Sequence, residues 1–320
     1  MKILVTGVAG FIGYHLTKKL LRNSNNIVYG IDNLNNYYDK NLKINRLNNL
    51  LKKKNFKFYK ININIKNKLE QNFKKNKYDV VVNLAAQAGV RYSIEKPEKY
   101  FDSNIRGFFN ILENCKKFKV KHLLFASTSS VYGMNNKFPV NEKFSTDKPL
   151  SFYAATKKAN EVMAHAYSNI YGLKCTALRF FTVFGPYGRP DMALFKFVEA
   201  ILNNKKIDLY NHGNHERDFT YVDEVVYCIS KLISSNKTKI YNVFNIGSNR
   251  PIKLKKFLSI ISKQLNKSYK INLMPMQKGD VFKSHSDNAK IKKIIGDYKQ
   301  TSIEIAIKKF IKWYIKYYKK

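Results

Sequence analysis

Tyr153 and Lys157 lie four positions apart in Tyr153-Ala-Ala-Thr-Lys157, a spacing that puts two side chains on one face of a helix. An ammonium in that place can sit beside the phenol and favour its ionised form, giving a base that works near neutral pH. Far upstream, Gly7-Val-Ala-Gly10-Phe-Ile-Gly13 follows the apolar run Ile3-Leu4-Val5. Gly7 suits a tight turn, Gly10 the close approach of a pyrophosphate, and Gly13 the packing of a helix on a sheet. The spacing is GxxGxxG, which alone fits many turns. Asp32 adds weight, because it ends the next strand-like run, 19 residues beyond Gly13, where a carboxylate can bind ribose hydroxyls. Asn33-Leu34-Asn35 follow without an arginine, and Asp32 would repel a 2′-phosphate, so NAD is expected rather than NADP. Glycine loop, carboxylate and Tyr–Lys pair together describe hydride chemistry on a dinucleotide.

These residues require a sheet to hold them. Short β-rich runs (Ile3–Val5, Ile27–Asp32, Val80–Val82, Leu123–Phe125, Cys175–Phe180, Tyr241–Ile246) alternate with helical patterns such as Ile12/Leu16/Leu20. Such alternation implies an α/β fold with a Rossmann-type, doubly wound parallel sheet. From Gly185 the pattern becomes irregular, with Pro186, Gly188 and Pro190 close together. We therefore expect a nucleotide-binding domain over residues 1–184, with a returning segment near 217–250. A smaller mixed α/β substrate-binding lobe over 185–320 interleaves with it. The Asn/Lys-rich stretch Asn48 to Asn55 reads as a surface loop. Ile307, Phe310, Ile311, Tyr314 and Tyr317 recur at helical spacing near the end, which fits a terminal helix packed on the core better than one lying on a membrane.

With 320 residues, 44% of them apolar and 14% aromatic, the chain can bury a sizeable core. Its formal charge of +37 invites a nucleic-acid or acidic-membrane partner. The lysines, however, run through the whole length amid abundant Asn and Ile, so compositional bias explains them better and no nucleic-acid partner is expected. Cys115, Cys175 and Cys228 are far apart and lack CxxC spacing, which argues against a disulfide framework and a zinc site and fits a reducing cytoplasm. The opening apolar run stops at Thr6-Gly7 without a cleavage site, and no run reaches membrane-spanning length.

The order of glycine loop, Asp32, Asn83-Leu-Ala-Ala-Gln87, Ser127-Thr-Ser-Ser-Val-Tyr-Gly133 and Tyr153-x-x-x-Lys157 resembles the extended short-chain dehydrogenase/reductase family over nearly the whole chain. Within that family the chain is most similar to the UDP-glucuronate 4-epimerases. The strings that carry this are Gly30-Ile-Asp-Asn-Leu-Asn-Asn-Tyr-Tyr38, Gln87-Ala-Gly-Val-Arg91-Tyr-Ser93, Arg179-Phe-Phe-Thr-Val-Phe-Gly-Pro-Tyr-Gly-Arg-Pro-Asp-Met192 and Arg217-Asp-Phe-Thr-Tyr-Val-Asp223. The resemblance implies a catalytic set of Thr128, Tyr153 and Lys157. Tyr153 takes the proton of the sugar 4-hydroxyl, Thr128 hydrogen-bonds that hydroxyl, and Lys157 lowers the Tyr153 pKa and grips the nicotinamide ribose. It also implies an NAD site of Gly7, Gly10, Phe11, Ile12, Gly13, Asp32, Asn33, Asn62, Ile63, Leu84, Ala85, Ala86, Gln87, Asn104, Tyr153, Lys157 and Phe181. For the substrate it implies Arg91, Thr128, Ser129, Ser130, Thr182, Arg189, Arg217, Gln277 and Asp280. In that assignment Arg217 meets the diphosphate, Arg189 orders a loop near the sugar carboxylate, and Asp280 binds the uridine ribose. A homodimer through the helices around Gly107 and Tyr153 is implied as well, and so is a product destined for surface polysaccharide.

Thr128-Ser129-Ser130 separates this chain from relatives within the resemblance. Dehydratases carry Thr-Asp-Glu there, because elimination needs an added acid and base, and decarboxylases carry Thr-Ser-Glu. Hydroxyls at Ser129, Ser130 and Thr182 can hold a substrate carboxylate that a Glu would repel. Three departures stand out. Asn62 replaces an Asp at the adenine amine, Lys206 replaces a Pro, and His285 replaces a Tyr in Ser284-His-Ser-Asp287. The competing expectations are a 4-epimerase for UDP-glucose or UDP-N-acetylglucosamine and, more distantly, a non-catalytic NAD-binding or nucleic-acid-binding protein.

Overall fold

The computed structural model describes residues 1–319. Its strands are β1 (Lys2–Thr6), β2 (Ile27–Asp32), β3 (Phe56–Lys60), β4 (Val80–Asn83), β5 (His122–Thr128), β6 (Cys175–Phe180), β7 (Thr182–Phe184), β8 (Lys206–Leu209), β9 (Glu216–Tyr221), β10 (Tyr241–Ile246), β11 (Pro251–Lys253) and β12 (Lys270–Leu273). The helices up to the middle of the chain are α1 (Phe11–Leu20), α2 (Lys40–Leu51), α3 (Lys66–Asn76), α4 (Tyr92–Glu95), α5 (Pro97–Tyr100), α6 (Gly107–Lys117) and α7 (Phe152–Tyr171). Beyond them come α8 (Ala193–Leu202), α9 (Val222–Ile233), α10 (Leu254–Leu265), α11 (Ala289–Ile295) and α12 (Ile303–Tyr318).

Seven strands form one parallel sheet in the order β10-β6-β5-β4-β1-β2-β3. Successive side chains on a strand point to opposite faces, and the apolar strands of this sheet supply both. Ile3, Val5, Val80 and Val82 enter one core beneath α1, α2 and α9, while Leu4, Val81, Leu123 and Phe125 enter a second beneath α3, α6 and α7. Helices on both faces make the sheet doubly wound, as expected. The chain leaves this sheet after Phe180, joins a three-stranded sheet at Thr182 (order β11-β9-β7), and returns at Tyr241 to the edge of the large one. The small sheet is mixed, with β7–β9 parallel and β9–β11 antiparallel. Strands β8 and β12 pair separately.

One expectation is corrected. Asn48 to Asn55 is not a loop throughout, since residues up to Leu51 belong to α2 and only the remainder turns into β3. Leu42, Leu47 and Leu50 face the core at helical spacing, and that stripe outweighs the poor helix propensity of the intervening asparagines. On α12, Ile307, Phe310, Ile311 and Tyr314 are buried against the core, and no helix among the described residues is long and apolar enough to cross a membrane.

Candidate active site

A cleft of about 860 Å³ opens at the C-terminal ends of the central strands, where a parallel sheet reverses its strand order and ligands bind. Its first wall is the turn from β1 to α1. Gly7 has φ +68, and a Cβ there would lie 2.8 Å from the Ala85 amide nitrogen. A Cβ at Gly13 would lie 2.2 Å from the Gly7 carbonyl oxygen, so a side chain at either place would displace the backbone. Gly10 caps α1 without a side chain, so the first-turn N–H groups have no intrahelical partner and face the cleft at the positive end of the helix dipole. This cradle fits a dinucleotide pyrophosphate.

Asp32 closes the far end of the cradle. One carboxylate oxygen accepts from the Ala9 N–H at 3.0 Å and the other from the Leu34 N–H at 2.8 Å. Burial pushes its pKa up, against those two N–H groups and the charges of Lys43 and Arg46. Phe11, Ile12, Asn33, Asn62, Ile63, Leu84, Ala85, Ala86, Gln87 and Phe181 complete this half. Asn104 stands behind the wall: its amide accepts from the Gln87 N–H at 2.8 Å and donates to the Gln87 carbonyl and the Thr156 hydroxyl, each at 3.0 Å.

Thr128 ends β5, and its hydroxyl oxygen accepts from the Ser130 N–H at 3.2 Å, so the backbone of this turn orients the side chain. Ser151 caps α7 by accepting from the Ala154 N–H at 3.2 Å, which sets Tyr153 in the first turn, in the same cleft as Thr128. Burial pushes the Tyr153 pKa up, opposed by the Arg189 charge and the Thr128 hydroxyl. Lys157 follows one turn later on the same helix, and its ammonium takes a backbone partner. Its Nζ donates to the Ala126 carbonyl at 2.7 Å, because an ammonium deprived of water must find an acceptor. Burial lowers the Lys157 pKa to about 8, with Glu161 one turn further along α7 acting in the opposite sense.

The substrate half is lined by Arg91, Ser129, Ser130, Thr182, Arg189, Arg217 and Asp280. Arg217 donates to the Asp280 carboxylate and the Phe282 carbonyl, each at 2.9 Å. Arg91 lies over the Tyr210 ring, 4.6 Å from its centroid. Arg189 forms a two-point pair with Asp191, its Nε donating at 3.0 Å, and the Tyr37 hydroxyl donates to the same carboxylate at 3.3 Å. Of the departures, Asn62 and Lys206 line the cleft, and His285 bonds Asn249 at 2.8 Å instead. Gln277 lies off the lining residues with its amide oxygen buried. Sequence reasoning did not single out Tyr37, Lys43, Asp191, Tyr210 or His215, all of which line the cleft. Tyr37 and Asp191 fall inside the family-like strings; Lys43 was hidden by overlooking α2.

Fold and cleft define a dinucleotide-binding protein of the Tyr-x-x-x-Lys type. A family model described as the NAD dependent epimerase/dehydratase family matches residues 3–247. Protein CapI of Staphylococcus aureus is 48% identical, covering 100% of both chains. The Probable UDP-glucuronate 4-epimerase of Rhizobium meliloti is 39% identical over 100% of this chain and 98% of its own length. The solved structure of UDP-glucuronic acid 4-epimerase from Bacillus cereus, in complex with UDP-glucuronic acid and NAD, is similar with a TM-score of 0.95 at 32% identity, covering 99% of this chain and 100% of that one. The chain belongs to the NAD dependent epimerase/dehydratase family.

Proposed function

We propose that the chain is an NAD-dependent isomerase that interconverts UDP-glucuronate and UDP-galacturonate through a 4-keto sugar. Similarity to epimerases named for that substrate supports the reading. The observation that carries it is the run of hydroxyls at Thr128, Ser129, Ser130 and Thr182 in one cleft, with no carboxylate in the turn that holds Thr128. Bound NAD supplies the acceptor and donor of the C4 hydride. Tyr153 removes and returns the 4-hydroxyl proton, Thr128 steadies that hydroxyl, and Lys157 grips the nicotinamide ribose. Arg217 meets the diphosphate and Asp280 the uridine ribose. Incubating the protein separately with UDP-glucuronate, UDP-glucose and UDP-N-acetylglucosamine tests the assignment; turnover of a neutral sugar alone would replace it.

A 4-keto glucuronate is a β-keto acid and loses carbon dioxide when its carboxylate bond aligns with the carbonyl. Ser129, Ser130 and Thr182 keep that bond out of line by binding the carboxylate. Thr182→Ala or Ser130→Ala is therefore expected to raise the 4-keto-pentose share seen by NMR. One charge-assisted hydrogen bond is worth about 1.5–3 kcal/mol, roughly a tenfold or larger change in partition. An unchanged product ratio would remove these hydroxyls from the role.

Asp32→Ala is expected to lower the NAD that stays with the chain through gel filtration, since the cradle would lose its ribose ligand. Release of NADP on denaturation, or activity lost to a chelator, would overturn the cofactor assignment. The NAD-binding domain takes residues 1–184 with the return near 217–250, and the rest forms mainly the UDP-sugar lobe. Exposed Phe109 on α6 and Phe152, Val162 and Ile170 on α7 support a homodimer through those helices. Three buried free cysteines suit a reducing cytoplasm.

A further inference from the structure

The two halves of the cleft meet behind its wall on one side chain that neither half needs for ligand contact. Arg46, on α2, has 0% exposure, and no ion pair to it occurs among the described residues. Its Nη1 donates to the Ala9 carbonyl at 2.9 Å and the Tyr38 hydroxyl at 2.7 Å. Its Nη2 donates to the carbonyls of Tyr187 at 2.7 Å and Gly188 at 3.2 Å. Ala9 belongs to the glycine loop, whereas Tyr187 and Gly188 immediately precede Arg189. One planar fork thus ties the dinucleotide cradle to the turn that launches the substrate arginine.

That turn is held under strain. Tyr187 has φ 56, a left-handed conformation that a bulky residue keeps only when its surroundings impose it. Its ring lies 4.9 Å from Tyr14 and 4.9 Å from Trp313, and His15 Nε2 meets the Pro186 carbonyl at 2.8 Å. These contacts anchor the ring and the preceding peptide to α1 and α12. Arg46 also reaches the glycine loop, at the Ala9 carbonyl. An apolar side chain would fill the space without burying a charge that lacks a carboxylate partner, but it could not join the two loops.

We propose that Arg46 is a positioning residue that couples the two ligand sites, holding the Ala9 peptide for the cofactor and, through Tyr187 and Gly188, setting the turn that places the Arg189–Asp191 pair in the wall of the substrate half. Order in the glycine loop then favours order in residues 186–192, and by linkage the substrate favours cofactor retention in return. The identity of the two ligands rests on the proposed function; the coupling does not.

Hydrogen exchange separates the two. In the wild type, adding NAD to stripped protein is expected to increase amide protection across 186–192, and in Arg46→Met that NAD-dependent gain is lost. Arg46→Lys keeps the charge on a smaller group that cannot span both loops, so it is expected to lose the gain too, and it serves if the Met variant does not fold. On the holoenzyme, Arg46→Met is expected to raise KM for UDP-glucuronate about tenfold, misplacement of a binding group being costly even at small distances, while kcat stays within about threefold. In an Arg189→Ala background the same change is expected to alter KM by less than about twofold, because neighbours acting through one another are not additive. An unaltered NAD-dependent protection of 186–192 in the variants, or additive KM penalties, would overturn the coupling. A wild type that ignores UDP-glucuronate yet gains protection with NAD would overturn the substrate assignment and leave the coupling standing.

Discussion

Replacing Tyr153 by Phe is expected to lower turnover of UDP-glucuronate by about 10²- to 10⁴-fold, the usual cost of losing a positioned base. Sugar-nucleotide binding is expected to stay within a few-fold, because the ring packs edge-on to Tyr100 with centroids 6.0 Å apart and Phe preserves that contact. Near-normal turnover would remove Tyr153 from the mechanism. The two pKa shifts add a pH test. Burial pushes the Tyr153 phenol up and brings Lys157 down to about 8, so in the free protein at neutral pH Lys157 carries its charge. The activity that depends on the ammonium is present below about pH 8 and declines as pH rises through that value. A rate that keeps climbing well above this range would show that the Lys157 charge is not required.

Glu161→Gln is expected to destabilise the fold by about 3–5 kcal/mol, the cost of breaking a buried ion pair from one side. Glu161 accepts from the Ser127 hydroxyl at 2.6 Å and from Arg179 Nε and Nη2 at 2.9 and 2.7 Å. Both side chains of the pair are only 4% exposed, so water cannot replace the lost charge. At roughly 2 °C per kcal/mol for a chain of this size, the melting temperature should fall by ~6–10 °C. The Ser127 hydrogen bond to the same carboxylate links the end of β5, which carries Thr128, to the helix that carries Tyr153 and Lys157. Because the Glu161 charge favours the Lys157 ammonium, the alkaline decline in activity should also move to lower pH in the variant. An unchanged melting temperature would mean that Arg179 is not held by this pair, and an unchanged alkaline limb would mean that Glu161 does not act on Lys157.

The sheet was legible because its strands carry their signal locally. Runs such as Ile3–Val5 and Val80–Val82 are short and apolar on both faces, as strands covered by helices on two sides must be. Helix α2 was not, since its asparagines obscured the stripe of Leu42, Leu47 and Leu50, and the cleft residue Lys43 and the bridge Arg46 went with it. Tyr37 and Asp191 lay inside recognisable strings, but nothing in those strings says that the two meet around Arg189.

The chemistry was determined by residue type and spacing within single segments: three glycines at one turn, a carboxylate at the next strand end, hydroxyls in one turn after β5, and a phenol and an ammonium one helical turn apart. Those features act over a few residues of backbone, and the order of the chain suffices to place them. Which acceptor Lys157 takes, which charge holds Glu161, and how the glycine loop reaches the turn before Arg189 were decided only by the tertiary structure. Each depends on a partner brought from a distant part of the chain. Each also depends on burial, which withdraws water and thereby determines both the pKa of a group and the need for a hydrogen-bond partner.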